Sequence, residues 1–132
     1  MEIIYKINYP LNVEQTIDLY KRSTLGERRP VDKPDIFAKM LMNSDLIITA
    51  WDGEKLVGIS RTLTDYGYVA YLADLAVDES YQKMGIGKKL VQLTENNIGP
   101  TAYITLLAAP KAHEYYAKIG FEPHPRAWIK RK

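Results

Sequence analysis

The sequence predicts a mixed α+β domain: a mostly antiparallel, twisted sheet carrying one parallel βαβ crossover, with helices on both faces. Three observations predict it. The middle of the chain is a series of apolar, strand-like segments separated by short glycine turns. A glycine-containing loop, "YQKMGIGKKL" over residues 81–90, then leads from a strand into an amphipathic helix. A further apolar strand and a further helix follow, so residues 69–108 read as strand, loop, helix, strand. Such a unit is a right-handed crossover between parallel strands.

In chain order, "EIIYKIN" (2–8) reads as a first strand with Ile3, Tyr5 and Ile7 on one face. Asn12 is an N-cap with Gln15 as its capping-box partner, and Val13, Ile17 and Tyr20 recur at helical spacing behind it. "LGERRPVDKP" breaks that helix and is the longest irregular polar stretch. A short second helix is expected to bury Ile36, Phe37, Met40 and Leu41. "LIITAW" and "KLVGISRTL" flank Asp52-Gly53, read as a type I′ hairpin turn, and Tyr66-Gly67 makes the next turn. A long strand runs from Tyr68 to Val77. After the glycine loop comes a helix with Ile86, Leu90, Leu93 and Asn97 or Ile98 along one side. "AYITLLAA" (102–109) is the next strand, and Pro110 opens a helix at its favoured first position. Ala112, Tyr116 and Ile119 share a face there, Gly120 is the C-cap, and "RAWIKR" (126–131) closes the chain as a last strand.

The composition narrows the function classes. The 132 residues suit one domain, 1–132, and 46% hydrophobic with 26% charged residues is ordinary for a globular protein. No apolar run is long enough to span a bilayer and the N-terminus has no signal-peptide pattern, so the expectation is a cytoplasmic protein without a membrane partner. There is no Cys, which excludes disulfides, thiolate metal sites and a Cys nucleophile, and no metal site is expected. A net charge of +2 with only a short basic tail, "IKRK", gives no footprint for nucleic acid.

The glycine loop is the chemically informative stretch. A Walker loop needs glycine five residues before Gly87 and a hydroxyl residue after the lysine; Gln82 and Lys89 stand there instead. The dinucleotide fingerprint needs a third glycine where Leu90 stands. What is present suits a simpler task. A helix N-terminus exposes unpaired N–H groups and partial positive charge, Gly85 and Gly87 allow close backbone approach, and Lys83, Lys88 or Lys89 can neutralise phosphate. The alternative is a tight turn with solvated lysines.

The flanks add a resemblance. "DLAVDESYQKMGIGKKLV" resembles motif A of the GCN5-related N-acetyltransferases, Gln/Arg-x-x-Gly-x-Gly/Ala, matched by Gln82, Gly85 and Gly87. "AHEYYAKIGFEP" is similar to that family's motif B, a helix ending in Tyr-x-x-x-Gly-Phe, matched by Tyr116, Gly120 and Phe121. The resemblance implies that acetyl-CoA lies where the two parallel strands splay apart, lined by "LADLAV" and "ITLLAA". Its pantetheine arm would bond to the backbone of Leu75, Ala76 and Val77. Its pyrophosphate would rest on Gln82, Lys83, Met84, Gly85, Ile86, Gly87 and Lys88.

It further implies direct attack by a primary amine of a small molecule or a peptide lysine. A backbone N–H of Leu75 or Val77 would stabilise the oxyanion, and Tyr116 would be the general acid for the departing thiolate. For Tyr116 the alternative is an aromatic residue of the core. Tyr115 is expected to serve packing or substrate contact. The family's Glu on the central strand is missing, leaving Asp74 as a candidate base if burial raises its pKa. A structural carboxylate is the competing reading of Asp74. His113, one turn before Tyr116, reads as a surface residue, with a base or water relay as the alternative. The family's pantetheine-positioning Asn is replaced by Ala109. The acceptor wall is expected around "TLGERRPVDKP", with Trp51, Tyr66 and Tyr68 nearby. A homodimer is the family's habit. A non-catalytic acyl-CoA sensor or interaction module of the same fold is the alternative function.

Overall fold

The computed structural model describes residues 2–132. Five strands form one sheet in the order β1-β2-β3-β4-β5: β1 (Ile3–Ile7), β2 (Leu46–Asp52), β3 (Lys55–Thr64), β4 (Val69–Val77) and β5 (Tyr103–Thr105). The first three pairings are antiparallel and β4–β5 is parallel. Helices α1 (Val13–Arg22) and α2 (Pro34–Met42) cover one face, α3 (Ile86–Asn96) covers the other, and α4 (His113–Lys118) follows β5. Among the described residues no helix is long and apolar enough to cross a membrane.

Local chemistry places these elements. Asn12 Oδ1 accepts from the Gln15 amide at 3.0 Å and caps α1, but the reciprocal half of the capping box is absent: the Gln15 side chain donates to the Glu54 carbonyl. Ile17 and Tyr20 then pack with Phe37, Ile47, Ile59 and Ala76 into the core on that face. In α2 only Phe37 is fully buried; Ile36, expected inside, is 45% exposed. Across the sheet, Ile86, Leu90 and Ile98 pack on Ile48, Ala50 and Val57.

The β2–β3 turn differs from expectation by one residue. Asp52 pairs with Lys55, so Gly53 and Glu54 are the loop, and positive φ occurs at Gly53 alone (φ 60). That is the type II′ pattern rather than I′.

Two departures from the predicted strands shape the molecule. In β4, Arg61 lies opposite Asp74 and Thr62 opposite Leu72, so Ala73 is an extra residue in a β-bulge. The bulge shifts the alternation of β4: Ala70 belongs to the core under α3, whereas Ala76 belongs to the core under α1. Strand β5 is also shorter than the predicted 102–109. Its pairing with β4 covers only Val69–Tyr71 against Tyr103–Thr105. Beyond Tyr71 the two chains part, leaving Leu72–Val77 unpaired on the side away from β3.

The expected last strand, 126–131, does not form, and Trp128 is 95% exposed. A strand needs a ladder partner and a covered face, and "RAWIKR" has neither here.

Candidate active site

The splay between β4 and β5 opens a cavity of about 130 Å³ beside the bulge. Its walls are Leu72, Ala73 and Leu75 of β4, Leu106, Leu107 and Ala109 beyond β5, and Ala112 and Tyr116 near the start of α4. The fourth wall is the segment after α1: Ser23, Thr24, Leu25, Arg28 and Arg29. Part of "TLGERRPVDKP", the stretch expected to form the acceptor wall, thus lines this cavity. The aromatic residues expected with it do not. Trp51 is buried under α1 and donates its indole N–H to Thr49 Oγ1 at 2.8 Å. Tyr66 and Tyr68 lie around the turn at the opposite end of β4.

Tyr116 reaches the cavity because α4 ends cleanly. The amide of Gly120 (φ 100) donates to the Ala117 carbonyl, and that of Phe121 to the Tyr116 carbonyl at 3.0 Å. This is the paired Schellman pattern that the glycine signalled. The Tyr116 ring packs edge-on between Tyr115 and Phe121. Burial raises its hydroxyl pKa, and Tyr115 adds to the rise, while Arg28 and Arg29 pull against it. The hydroxyl is therefore protonated at neutral pH, the state a proton donor requires. His113 is exposed on the first turn of the same helix.

Asp74 is held behind this cavity. The bulge turns its carboxylate toward α1, where its side chain is fully buried and accepts three strong bonds. The Tyr20 hydroxyl donates at 2.6 Å, Arg61 Nε at 2.6 Å and Arg29 Nε at 2.5 Å. Arg29 also donates to the Ala73 carbonyl at 2.9 Å, tying the bulge to the segment after α1. Burial alone would raise the Asp74 pKa, as anticipated from its apolar strand. The hydrogen bond and charge of Arg61, with Tyr20 and Arg29, outweigh burial and hold the carboxyl below its usual range. The expected upward shift is thus corrected, because its ionic partners lie far away in sequence.

The glycine loop has its own geometry. Asp78 Oδ1 accepts from the Ser80 amide and starts a short 3-10 turn, Glu79–Tyr81. The Gln82 side chain then reaches back to donate to the Val77 carbonyl at 3.1 Å. Lys83 (φ 66) and Gly85 (φ 81) are both left-handed, with Met84 between them. Left-handed residues within a turn aim successive N–H groups into one concavity, a shape suited to anions. The first helical bond of α3 runs from the Lys89 amide to the Gly85 carbonyl. The N–H groups of Ile86, Gly87 and Lys88 therefore have no acceptor within the helix.

The two glycines serve different needs. A Cβ on Gly85 would meet open space, so its φ is what requires glycine. A Cβ on Gly87 would lie 2.6 Å from the Tyr115 hydroxyl oxygen. Tyr115, read from sequence as packing or substrate contact, bridges α4 to the first turn of α3 through this contact.

A strand splayed from its parallel neighbour, with an unpaired β4 backbone leading to an anion-shaped loop, matches what the two motifs implied. The family model described as "Acetyltransferase (GNAT) domain" matches residues 29–131. This chain belongs to the GNAT acetyltransferase family. It is 31% identical over 129 residues to the uncharacterized N-acetyltransferase ycf52 of Pyropia yezoensis, covering 87% of this chain and 71% of that protein. It is 29% identical over 130 residues to the histone acetyltransferase TAP1 of Glycine max, covering 83% of this chain. The chain spans about half of TAP1, 54% of its length. Among solved structures, the GNAT family protein SP0256 from Streptococcus pneumoniae TIGR4 superposes with a TM-score of 0.76 at 25% identity. That match covers 99% of this chain and all of SP0256.

Arg29, Arg61 and the bulge at Ala73 were not singled out from sequence, and Tyr20 was read only as a buried helix residue. No local signal marks them: the arginines and the carboxylate they bind lie 45 and 13 residues apart.

Proposed function

We propose that this domain transfers an acetyl group from acetyl-CoA to a primary amine. Membership of the GNAT family supports acetyl transfer in general, and the observation that carries the reading for this chain is the splay. It leaves Leu72–Val77 without a strand partner on the side away from β3, between an anion-shaped loop and Tyr116. The residues fit the donor. Lys83 to Lys88 offer unpaired N–H groups and nearby lysines to a pyrophosphate, whereas the Gln82 amide, expected among them, donates to the Glu79 carbonyl. Leu75, Ala76 and Val77 offer strand-like backbone to an amide-containing arm.

Acetyl-CoA, when bound, supplies an activated acetyl thioester. The chain's part is to align it along β4, to meet developing negative charge with a β4 N–H, and to deliver a proton from Tyr116. Tyr116 is the catalytic acid in this reading. Asp74 is a positioning residue: its ion pairs lock the bulge and hold Arg29 at the cavity. No side chain then serves as base, so the amine must reach the site unprotonated, which the nearby arginine charges favour by depressing an ammonium's pKa. After attack the nitrogen's surplus proton passes to solvent, from which Tyr116 is reprotonated.

The test is acetyl-CoA consumption against a panel of amines, comparing the native chain with Tyr116→Phe. The expected result is turnover in the native chain and a loss of about 10²-fold in kcat for the variant with acetyl-CoA affinity retained. Tight acetyl-CoA binding without turnover on any amine would instead support an acyl-CoA sensor of the same fold.

A further inference from the structure

The cavity beside Tyr116 has an unusual charge balance for a site that receives an amine. Its lining includes two arginines, Arg28 and Arg29, and no carboxylate. Arg29 is committed, bonded to Asp74 and to the Ala73 carbonyl. Arg28 is not. Among the described residues its guanidinium makes no salt bridge and no hydrogen bond, and the residue is exposed at the mouth. The one carboxylate behind the wall, Asp74, is already shared between Arg29 and Arg61. Asp74 is thus fully engaged by two guanidiniums, and none of its charge is left for Arg28.

The backbone that presents Arg28 is strained. Thr24, which opens the 3-10 turn Leu25–Arg28, sits at φ 72, a conformation costly for a β-branched residue. Such strain persists where the surroundings over-determine it, and it collects at binding sites. The Arg29 bonds tie this segment to β4, and the buried Leu25 packs it against the core under α1.

We infer that the acceptor amine also carries an anionic group, a carboxylate or a phosphate, which Arg28 receives at the mouth of the cavity. The apolar walls, Leu25, Leu72, Leu106 and Leu107, suit a small uncharged body between that anion and the amine. Polycationic acceptors, such as polyamines or basic peptides, meet like charge there and no acid to neutralise them. A guanidinium forks onto carboxylate or phosphate oxygens, so the preference includes geometry as well as charge. The inference rests on the acetyl-transfer reading and narrows it to a substrate class.

The experiment measures kcat/KM with acetyl-CoA for matched acceptors: small α-amino acids against their amides, phosphoethanolamine against ethanolamine, and spermidine and a lysine peptide as cations. The expected result is a preference of roughly tenfold to hundredfold for an anionic member over its neutral partner, the range of a charge-assisted hydrogen bond. The amino-acid and phosphoethanolamine arms distinguish carboxylate from phosphate. In Arg28→Gln the ratio of anionic to neutral acceptor should collapse by at least tenfold, Arg28→Lys should restore part of it, and Arg28→Glu should invert it. Arg28 is exposed, so the melting temperature serves as the control for folding. Equal or better rates with the neutral or cationic acceptors would overturn the inference and leave acetyl transfer standing. A preference for anions that survives Arg28→Gln would overturn the role of Arg28. No turnover with any acceptor would overturn the transferase reading and this inference with it.

Discussion

Replacing Asp74 by Asn separates a structural carboxylate from a catalytic one. The native side chain is fully buried, with Arg61 10% and Arg29 24% exposed beside it. Asn keeps the size but removes the charge that satisfies both guanidiniums and gives the Tyr20 hydroxyl a weaker acceptor. Breaking a buried pair by removing one partner costs about 3–5 kcal/mol. Arg29 can turn toward water, so the lower end applies, about 3 kcal/mol. For a chain of this size that is a fall of roughly 10 °C in Tm. The pH dependence gives a second readout. Because the folded pKa lies below the unfolded one, the carboxylate contributes stability that is fully present above the unfolded value, about 4, and is lost as pH falls through the folded value. Denaturation curves from pH 7 down to pH 3 should therefore show an acid-side loss in the native chain that is shallower in Asp74→Asn. Acetylation rates from pH 6 to 9 should scale with the folded fraction without losing an ionisation near neutrality. Unchanged stability together with a missing neutral-pH ionisation in the rate profile would refute the positioning role and make Asp74 the base.

The glycine loop yields the remaining predictions. Gly87→Ala places Cβ 2.6 Å from the Tyr115 hydroxyl oxygen, while the next Tyr115 atom lies at an ordinary 3.6 Å. Adding Tyr115→Phe should therefore restore the melting temperature of Gly87→Ala to that of Tyr115→Phe alone. If phosphate also approaches Gly87, acetyl-CoA affinity by calorimetry should stay down at least tenfold, ~1.4 kcal/mol, in the double variant. Recovery of affinity along with stability would limit Gly87 to making room for Tyr115. Gly85→Ala meets open space but forces a left-handed alanine, so urea denaturation should show a loss of about 1–2 kcal/mol, with Gly85→Asn milder. An alanine variant as stable as the native chain would mean that the loop relaxes to another conformation.

What the sequence made legible follows a physical rule. Features decided within a few residues could be read: the Asn12 cap, the Gly120 Schellman ending, the Gly85 helix start and the order of strands through the parallel crossover. Features decided by partners distant in sequence could not. Ile36 carries the right residue type for a buried face, yet α2 is short and its packing centres on Phe37. Trp51 looked available for an acceptor wall, but the alternation of β2 puts it with Ile47 on the face under α1. The last strand failed for the same reason. Alternation in "RAWIKR" is necessary for a strand, but the ladder partner is a property of the sheet.

Asp74 shows how one such distant contact redirects a chemical argument. From the apolar strand "LADLAV" alone, burial is the only force on the carboxylate and points to a raised pKa and a base. The bulge at Ala73 changes which face the residue occupies, and on that face wait Tyr20, Arg29 and Arg61. Arg29, which shares Asp74 with Arg61 and Tyr20, also ties the strained turn carrying Arg28 to β4. The residue that resembled a base thus anchors one side of a cationic cavity. A cationic cavity lowers the need for a base, because an ammonium that enters it gives up its proton more readily.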